Sequence, residues 1–298
     1  MKLLSVDQRQ ASTYLEISRE CLVSKYEHYN TTSINYDKTR TAVGVEIVLG
    51  YLARLNKPAP LMTVLDAGCG TGNYALELAR AGMSVVCADY SEGMLAQCKQ
   101  KIESHGFANA VWKQCDLSLY VSEGQVYDAV MCNQSLHHLD PADDFKAVKH
   151  FLGEATKSLK EGGVILINTI THQQLENGVW WGKLIEKAVE RMKPRFIEYE
   201  PLQAFLRTIG FEITDRVVNI DSIIQQSGYF DPNALTSLEF RQGDSHFALL
   251  SEQELDEVLG RIEQMIREGS AEDYIAKRDQ LRQQIGQFTY YVIRKIGE

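Results

Sequence analysis

Glycines stand at positions 68, 70 and 72, directly after an apolar run and an aspartate, in Val64-Leu-Asp-Ala-Gly-Cys-Gly-Thr-Gly72. Residues without a Cβ at alternate positions let a chain turn sharply from a strand into a helix and pass close to a ligand. A dinucleotide-binding turn is spaced GxGxxG. The spacing here is GxGxG, and Asp66 comes just before it. A carboxylate there is poorly suited to pyrophosphate and suits a ligand that carries an ammonium group. Further along, His137 and His138 are adjacent. An unperturbed imidazole titrates at about pH 6.5, so either could take a proton from a hydroxyl or an amine. Packing, or orienting a substrate, is the other reading of the pair. The two are not at helical spacing, and the six cysteines (Cys21, Cys69, Cys87, Cys98, Cys115, Cys132) show neither CxxC pairing nor zinc spacing. No metal site is expected, and the cysteines read as reduced thiols, several of them small buried hydrophobes.

The elements that must hold these residues alternate. Thr63–Asp66, Ser84–Ala88, Ala110–Cys115, Tyr127–Cys132 and Val164–Asn168 read as strands 1 to 5. Helix-like segments at Tyr74–Arg80, after Ser91 and at Phe145–Leu159 separate them, with Gly82, Gly106 and Gly162-Gly163 as stops and turns. Such alternation implies right-handed crossovers and a parallel sheet covered by helices on both faces. Pro201–Ile209 then reads as a helix, and Phe211–Val218 and Phe288–Arg294 as strands 6 and 7. Before the core, Gln8–Ser24 and Thr41–Leu55 have helical periodicity. Between strands 6 and 7, Ser251 and Glu254 form a capping-box pattern that opens an apolar stripe of Leu255, Val258, Leu259, Ile262 and Ile266.

Asp66-Ala-Gly-Cys-Gly-Thr-Gly72 resembles motif I of the class I S-adenosylmethionine-dependent methyltransferases. Other motifs of that family follow in order. Asp89 ends strand 2, with Tyr90-Ser-Glu-Gly-Met94 after it, and Cys115-Asp-Leu117 ends strand 3. Asn133-Gln-Ser-Leu-His-His138 follows strand 4, and Leu159-Lys-Glu-Gly-Gly163 turns into strand 5. The resemblance implies an α/β fold: a doubly wound, mostly parallel seven-stranded sheet with an antiparallel last strand. It implies that Asp66, Ala67, Gly68, Gly70 and Gly72 hold the methionine end of S-adenosyl-L-methionine. Asp89 would take its ribose hydroxyls, with Tyr90 and Met94 also at the cofactor, and Cys115, Asp116 and Leu117 would meet its adenine; Asn133 and Gln134, in the family's substrate-facing motif, would touch the cofactor too. Tyr36-Asp-Lys-Thr-Arg40 is similar to a segment that lies over the cofactor in methyltransferases of ubiquinone-biosynthesis type. By that likeness Tyr36 faces the reaction centre and Arg40 binds a carboxylate.

Three parts are expected: an N-terminal helical extension or lid (1–58), a Rossmann-like core (59–219 and 287–298), and a helical cap inserted at 220–286. Chains leaving parallel strands emerge where ligands bind, so the cap is placed to roof the site. Trp180 and Trp181 would wall a pocket or anchor the cap, and Phe240–His246 is a polar cluster that could touch substrate.

The charge balance narrows the acceptor. Lys and Arg number 31 against 40 Asp and Glu, a formal net charge of -9, and no basic run offers a groove for phosphate backbones. Nucleic acid is therefore not expected. Neither a secretory signal nor a membrane span is visible, and the chain reads as cytoplasmic. The expected activity is methyl transfer to a nitrogen, oxygen or sulfur of a small metabolite, with Tyr36, His137 and His138 as candidate catalytic groups. The alternative is an inactive cofactor-binding scaffold or regulatory partner. Arsenic methyltransferases match poorly, since no paired or clustered cysteines are visible.

Overall fold

A computed structural model describes residues 41–297. Seven strands form one sheet in the order β3-β2-β1-β4-β5-β7-β6. They are β1 (Thr63–Ala67), β2 (Ser84–Asp89), β3 (Ala110–Gln114), β4 (Tyr127–Asn133), β5 (Leu159–Thr169), β6 (Phe211–Val218) and β7 (Thr289–Lys295). The first five pair in parallel, whereas β7 lies antiparallel between β5 and β6. The expected doubly wound sheet with an antiparallel last strand is what the chain forms.

Side chains of a strand alternate between faces, and two hydrophobic layers result. Val64, Ala129, Met131, Val164 and Leu166 belong to one. Their neighbours Leu65, Val130, Cys132, Ile165 and Ile167 belong to the other. Near-continuous apolar strands are what two covered faces require. Helices α1 (Val45–Ala53), α2 (Asn73–Arg80) and α3 (Glu92–Ser104) pack on the first face. On the second lie α4 (Ala142–Ser158) and α7 (Tyr199–Thr208). In α4 the right-handed helix is established only after Phe145, because Asp143, Asp144 and Phe145 have positive φ.

A third apolar cluster stands apart from the sheet and joins two stretches of chain. One runs from α5 (His172–Asn177) through Trp180 and Trp181 to α6 (Glu186–Met192). The other is the insert between β6 and β7, with α8 (Leu238–Gln242), α9 (Glu252–Glu268) and α10 (Ala271–Ile285). The stripe of α9 buries Val258 and Ile262 there. Trp180 Nε1 donates to Tyr229 O at 2.6 Å, and Trp181 Nε1 donates to Asp244 Oδ2 at 3.1 Å. Arg191 grips Glu254, the capping-box residue of α9, through two hydrogen bonds of 2.5 and 2.7 Å. Between the two roles open to the tryptophans, the buried geometry is that of anchors. Phe240–His246 belongs to the same packing, and none of its residues lines the cavity described below. Its aspartate is committed to Trp181 and to the His246 ring, 2.6 Å away. Among the described residues no helix is long and apolar enough to cross a membrane.

Candidate active site

The strand order reverses between β1 and β4, the kind of switch point where open α/β sheets bind ligands. A cavity of about 670 Å³ lies there, within the range of small-molecule sites. The carboxyl ends of four parallel strands supply its wall: Asp66 from β1, Asp89 from β2, Gln114 from β3 and Asn133 from β4.

The turn after β1 is held from below. Gly68 N and Cys69 N both donate to Ala88 O, at 2.8 and 3.0 Å. Gly70 N donates to Asp89 Oδ2 at 2.8 Å, and Asp89 Oδ1 accepts from Ser91 N at 2.9 Å. Each Asp89 oxygen keeps a second lone pair. Burial raises the Asp89 pKa, while the Ser91 and Gly70 amides hold it down. Asp116 Oδ1 accepts from Ser118 N and Ser118 Oγ, at 2.9 and 2.6 Å, and so caps the turn Leu117–Leu119. Gln134 has φ 52°, a left-handed conformation uncommon outside glycine. Its side chain donates to Asn168 Oδ1 at 2.7 Å.

Asp66 is 1% exposed, and neither of its carboxylate oxygens has a hydrogen-bond partner; the same holds for both polar side-chain atoms of Asn133. Burial, reinforced by Cys98 and Asp89, pushes Asp66 up to about 7. Buried polar groups are normally satisfied, so two such side chains on one cavity wall fit a polar ligand. Gly70 points the same way. A methyl on Gly70 would meet nothing within 4 Å, whereas one on Gly68 would strike Ser135 and one on Gly72 would strike Cys98. The space at Gly70 is thus left open towards the cavity.

Of the residues expected from the sequence, Asp66, Gly68, Gly70, Asp89, Tyr90 and Met94 line the cavity. So do Cys115, Asp116, Leu117, Asn133, Gln134 and His138. Three do not. Ala67 is fully buried within the sheet, and Gly72 is glycine because Cys98 of α3 packs against its Cα. His137 turns the other way, stacking on Phe196 at 4.5 Å and lining a separate small cavity with Ile197 and Leu202. On the short turn Leu136–His138 the two imidazoles lie 4.0 Å apart, yet His138 lines the cavity and His137 does not. Tyr36 and Arg40 lie outside the described residues.

Sequence reasoning missed Thr41, Val43, Tyr74, Asn168 and Ile224, which also line the cavity. Val43 O accepts from Tyr74 Oη at 2.9 Å and Tyr290 Oη at 2.8 Å, which pins the approach to α1 at the rim. Asn168 was legible, being polar at the end of an apolar strand like Asp66 and Asn133. Of the insert, Ile224 alone lines the cavity among the described residues, so the expected roof is a narrow one.

The cysteine reading also needs correction. Cys69, Cys87 and Cys98 are scattered in sequence, yet their sulfurs all lie within 4.8 Å of one another and all three residues are buried. Hydrogen bonding within the trio lowers Cys98, while Cys69 is raised by its contacts with Cys87 and Cys98 and by burial.

The family described as a methyltransferase domain matches residues 64–163. An uncharacterized methyltransferase of Mycobacterium bovis is 33% identical over 134 residues, covering 44% of this chain and 62% of its own. The mitochondrial ubiquinone biosynthesis O-methyltransferase of Homo sapiens is 26% identical over 194 residues, 62% of this chain and 50% of that protein. The chain thus spans about three fifths and one half of the lengths of these curated relatives. A solved structure, described as a methyltransferase from an antibiotic biosynthesis pathway of Anabaena variabilis, superposes with a TM-score of 0.67 at 18% identity. That match covers 87% of this chain and 99% of the other. The fold and the strand-end acids define a Rossmann-like methyltransferase domain. Over residues 64–163 the chain is similar to the class I S-adenosylmethionine-dependent methyltransferases.

Proposed function

We propose that the chain transfers a methyl group from S-adenosyl-L-methionine to a nitrogen, oxygen or sulfur of a small metabolite. The observation that carries this is the cavity wall on which the orphaned Asp66 and Asn133 join Asp89 and Asp116. In this reading Asp66 and Asn133 take the ammonium end of the donor and Asp89 accepts from its hydroxyls. Asp116 and the turn it caps take the adenine side. When bound, the donor supplies a sulfonium methyl that passes to an aligned nucleophile. The protein's part is alignment, exclusion of water and, where the acceptor carries a proton, its removal. His138 is the group at the cavity for that removal, and Gln134, fixed by Asn168, orients the acceptor. Residues 59–219 with 287–298 serve as the core in this reading, with 1–58 as an N-terminal extension and 220–286 as an insert that reaches the cavity at Ile224.

The acidic net charge favours a small acceptor over nucleic acid, as does a cavity of about 670 Å³. The human relative named for ubiquinone biosynthesis, an O-methyltransferase, makes a hydroxyl a reasonable acceptor atom. The test is a metabolite-pool screen with isotopically labelled donor, the product being read by mass spectrometry. A labelled small molecule is expected. Binding of S-adenosylhomocysteine without label transfer to any pool would favour the scaffold alternative.

A further inference from the structure

Cys69 follows β1, Cys87 sits inside β2, and Cys98 lies in α3; the three converge in one apolar layer. Cys87 and Cys98 are 0% exposed, and Cys69 is 9% exposed and lines the cavity. Among the described residues no histidine or carboxylate completes the trio. Three sulfurs bonded to one ion at about 2.3 Å stand at most about 4.0 Å apart. A trio within 4.8 Å of one another therefore draws together to share one. Its surroundings choose the kind of ion. Structural zinc wants a fourth ligand, and a charged complex would have to be desolvated in this apolar layer.

We propose that Cys69, Cys87 and Cys98 form a three-thiol site for trivalent arsenic, reached through the cofactor cavity at Cys69. Arsenous acid is neutral and so is the product: As(OH)3 + 3 RSH → As(SR)3 + 3 H2O. Three S–As bonds form as three O–As bonds break, each thiol proton leaves with a hydroxide as water, and no oxidation state changes. Occupancy bears on the cofactor because Cys69 belongs to the turn that carries Gly70. Drawing its sulfur towards Cys87 and Cys98 strains the hydrogen bonds that Gly68 N and Cys69 N donate to Ala88 O and that Gly70 N donates to Asp89 Oδ2. Arsenic and cofactor therefore antagonise each other, by the same factor in both directions. The arsenic site itself is independent of the methyl-transfer reading; only the antagonism rests on it.

The test titrates the reduced full-length chain with arsenite and counts arsenic per chain by native mass spectrometry. One arsenic is expected, with affinity weakened at least about tenfold in Cys87→Ala and in Cys98→Ala, a factor worth about 1.4 kcal/mol. Cys132→Ala, which alters a cysteine on the other face of the sheet, should bind as the unaltered chain does. X-ray absorption at the arsenic edge, on the unaltered chain, should show three sulfur neighbours and no oxygen, whatever the variants do to folding. No adduct, an oxygen-containing shell, or equal binding by both variants would overturn the proposal. Saturating S-adenosylhomocysteine should weaken arsenite binding. If it binds and arsenite affinity is unchanged, the antagonism fails while the site stands. If it does not bind at all, the cofactor reading fails instead.

Discussion

A methyl group added at Gly72 would lie 2.4 Å from Cys98 Sγ, and Gly72 already holds φ 81°. The last glycine of the turn is therefore a packing residue, fitted to α3. Gly70, at φ 53°, faces open space. The two glycines should separate in experiment. Gly72→Ala combines overpacking, about 1–3 kcal/mol, with left-handed strain of about 1–2 kcal/mol. Chemical denaturation should show a loss of about 2–5 kcal/mol. Gly70→Ala should lose only the strain, yet weaken S-adenosylhomocysteine binding in calorimetry at least as much as Gly72→Ala does. The reverse ranking in cofactor affinity would contradict the assignment.

Asp66 should make cofactor affinity depend on pH. Burial, Cys98 and Asp89 hold its pKa up to about 7, whereas the unfolded value is about 3.9. The folded state thus binds more protons between these values, and stability from this group is lost as pH rises through that window. Ligand binding runs the other way, since an ammonium favours the carboxylate. Affinity for S-adenosylhomocysteine should rise from pH 6 to pH 7.5. Asp66→Asn should flatten both slopes and weaken binding at pH 7.5 by about 1.5–3 kcal/mol, the range for a hydrogen bond to a charged group. Equal pH dependence in the variant would assign the titration to another group.

Much of this was legible because local sequence and tertiary role coincide. Val64–Gly72 is at once a buried strand, its turn, and part of the cavity wall, so one short motif exposes all three. Asp89 was legible for the same reason, as an acid ending an apolar strand, and Asp116 as an acid just beyond one. What could not be read depends on contacts between distant segments. Cys69, Cys87 and Cys98 meet only because β1, β2 and α3 stack. Gly72 is explained by a residue 26 positions later, Cys98. The side to which His137 turns depends on Phe196, delivered by chain beyond β5. Val43 gains its place from Tyr74 and Tyr290, the second nearly at the far end of the chain.

The insert's anchorage can be tested apart from chemistry. Trp181 Nε1 donates to the buried Asp244, and Trp181 packs against Tyr229 and Phe240. Trp181→Phe leaves the carboxylate without that donor and removes part of the packing. A loss of about 2–4 kcal/mol in stability is expected, from an unmade hydrogen bond and a partial cavity. Cofactor affinity should change by less than about 1 kcal/mol, because neither residue lines the cavity. A large fall in cofactor affinity at unchanged stability would show that the third cluster governs the site.

The adjacent histidines give the sharpest separation of roles. His138 is exposed and lines the cavity beside Leu139 and Asp140, whereas His137 is stacked on Phe196 with ring planes 15° apart. His137→Ala removes a packed ring and should lower stability while turnover by the folded fraction stays near that of the unaltered chain. His138→Ala should do the reverse. If His138 takes the acceptor's proton, turnover falls by about 10²–10⁴. A purely orienting His138 would give a smaller loss, shared between kcat and KM. Tyr36→Phe tests the expectation drawn from the family likeness and should lower turnover with cofactor affinity preserved. The measurements are steady-state kinetics with the acceptor found by the labelled-donor screen, and denaturation of each variant. The pH profile at saturating donor adds a second reading, because a histidine base makes turnover fall on the acid side and His138→Ala should abolish that limb. Unchanged turnover in His138→Ala, together with a large loss in a stably folded His137→Ala, would transfer the role to the histidine that the structure turns away.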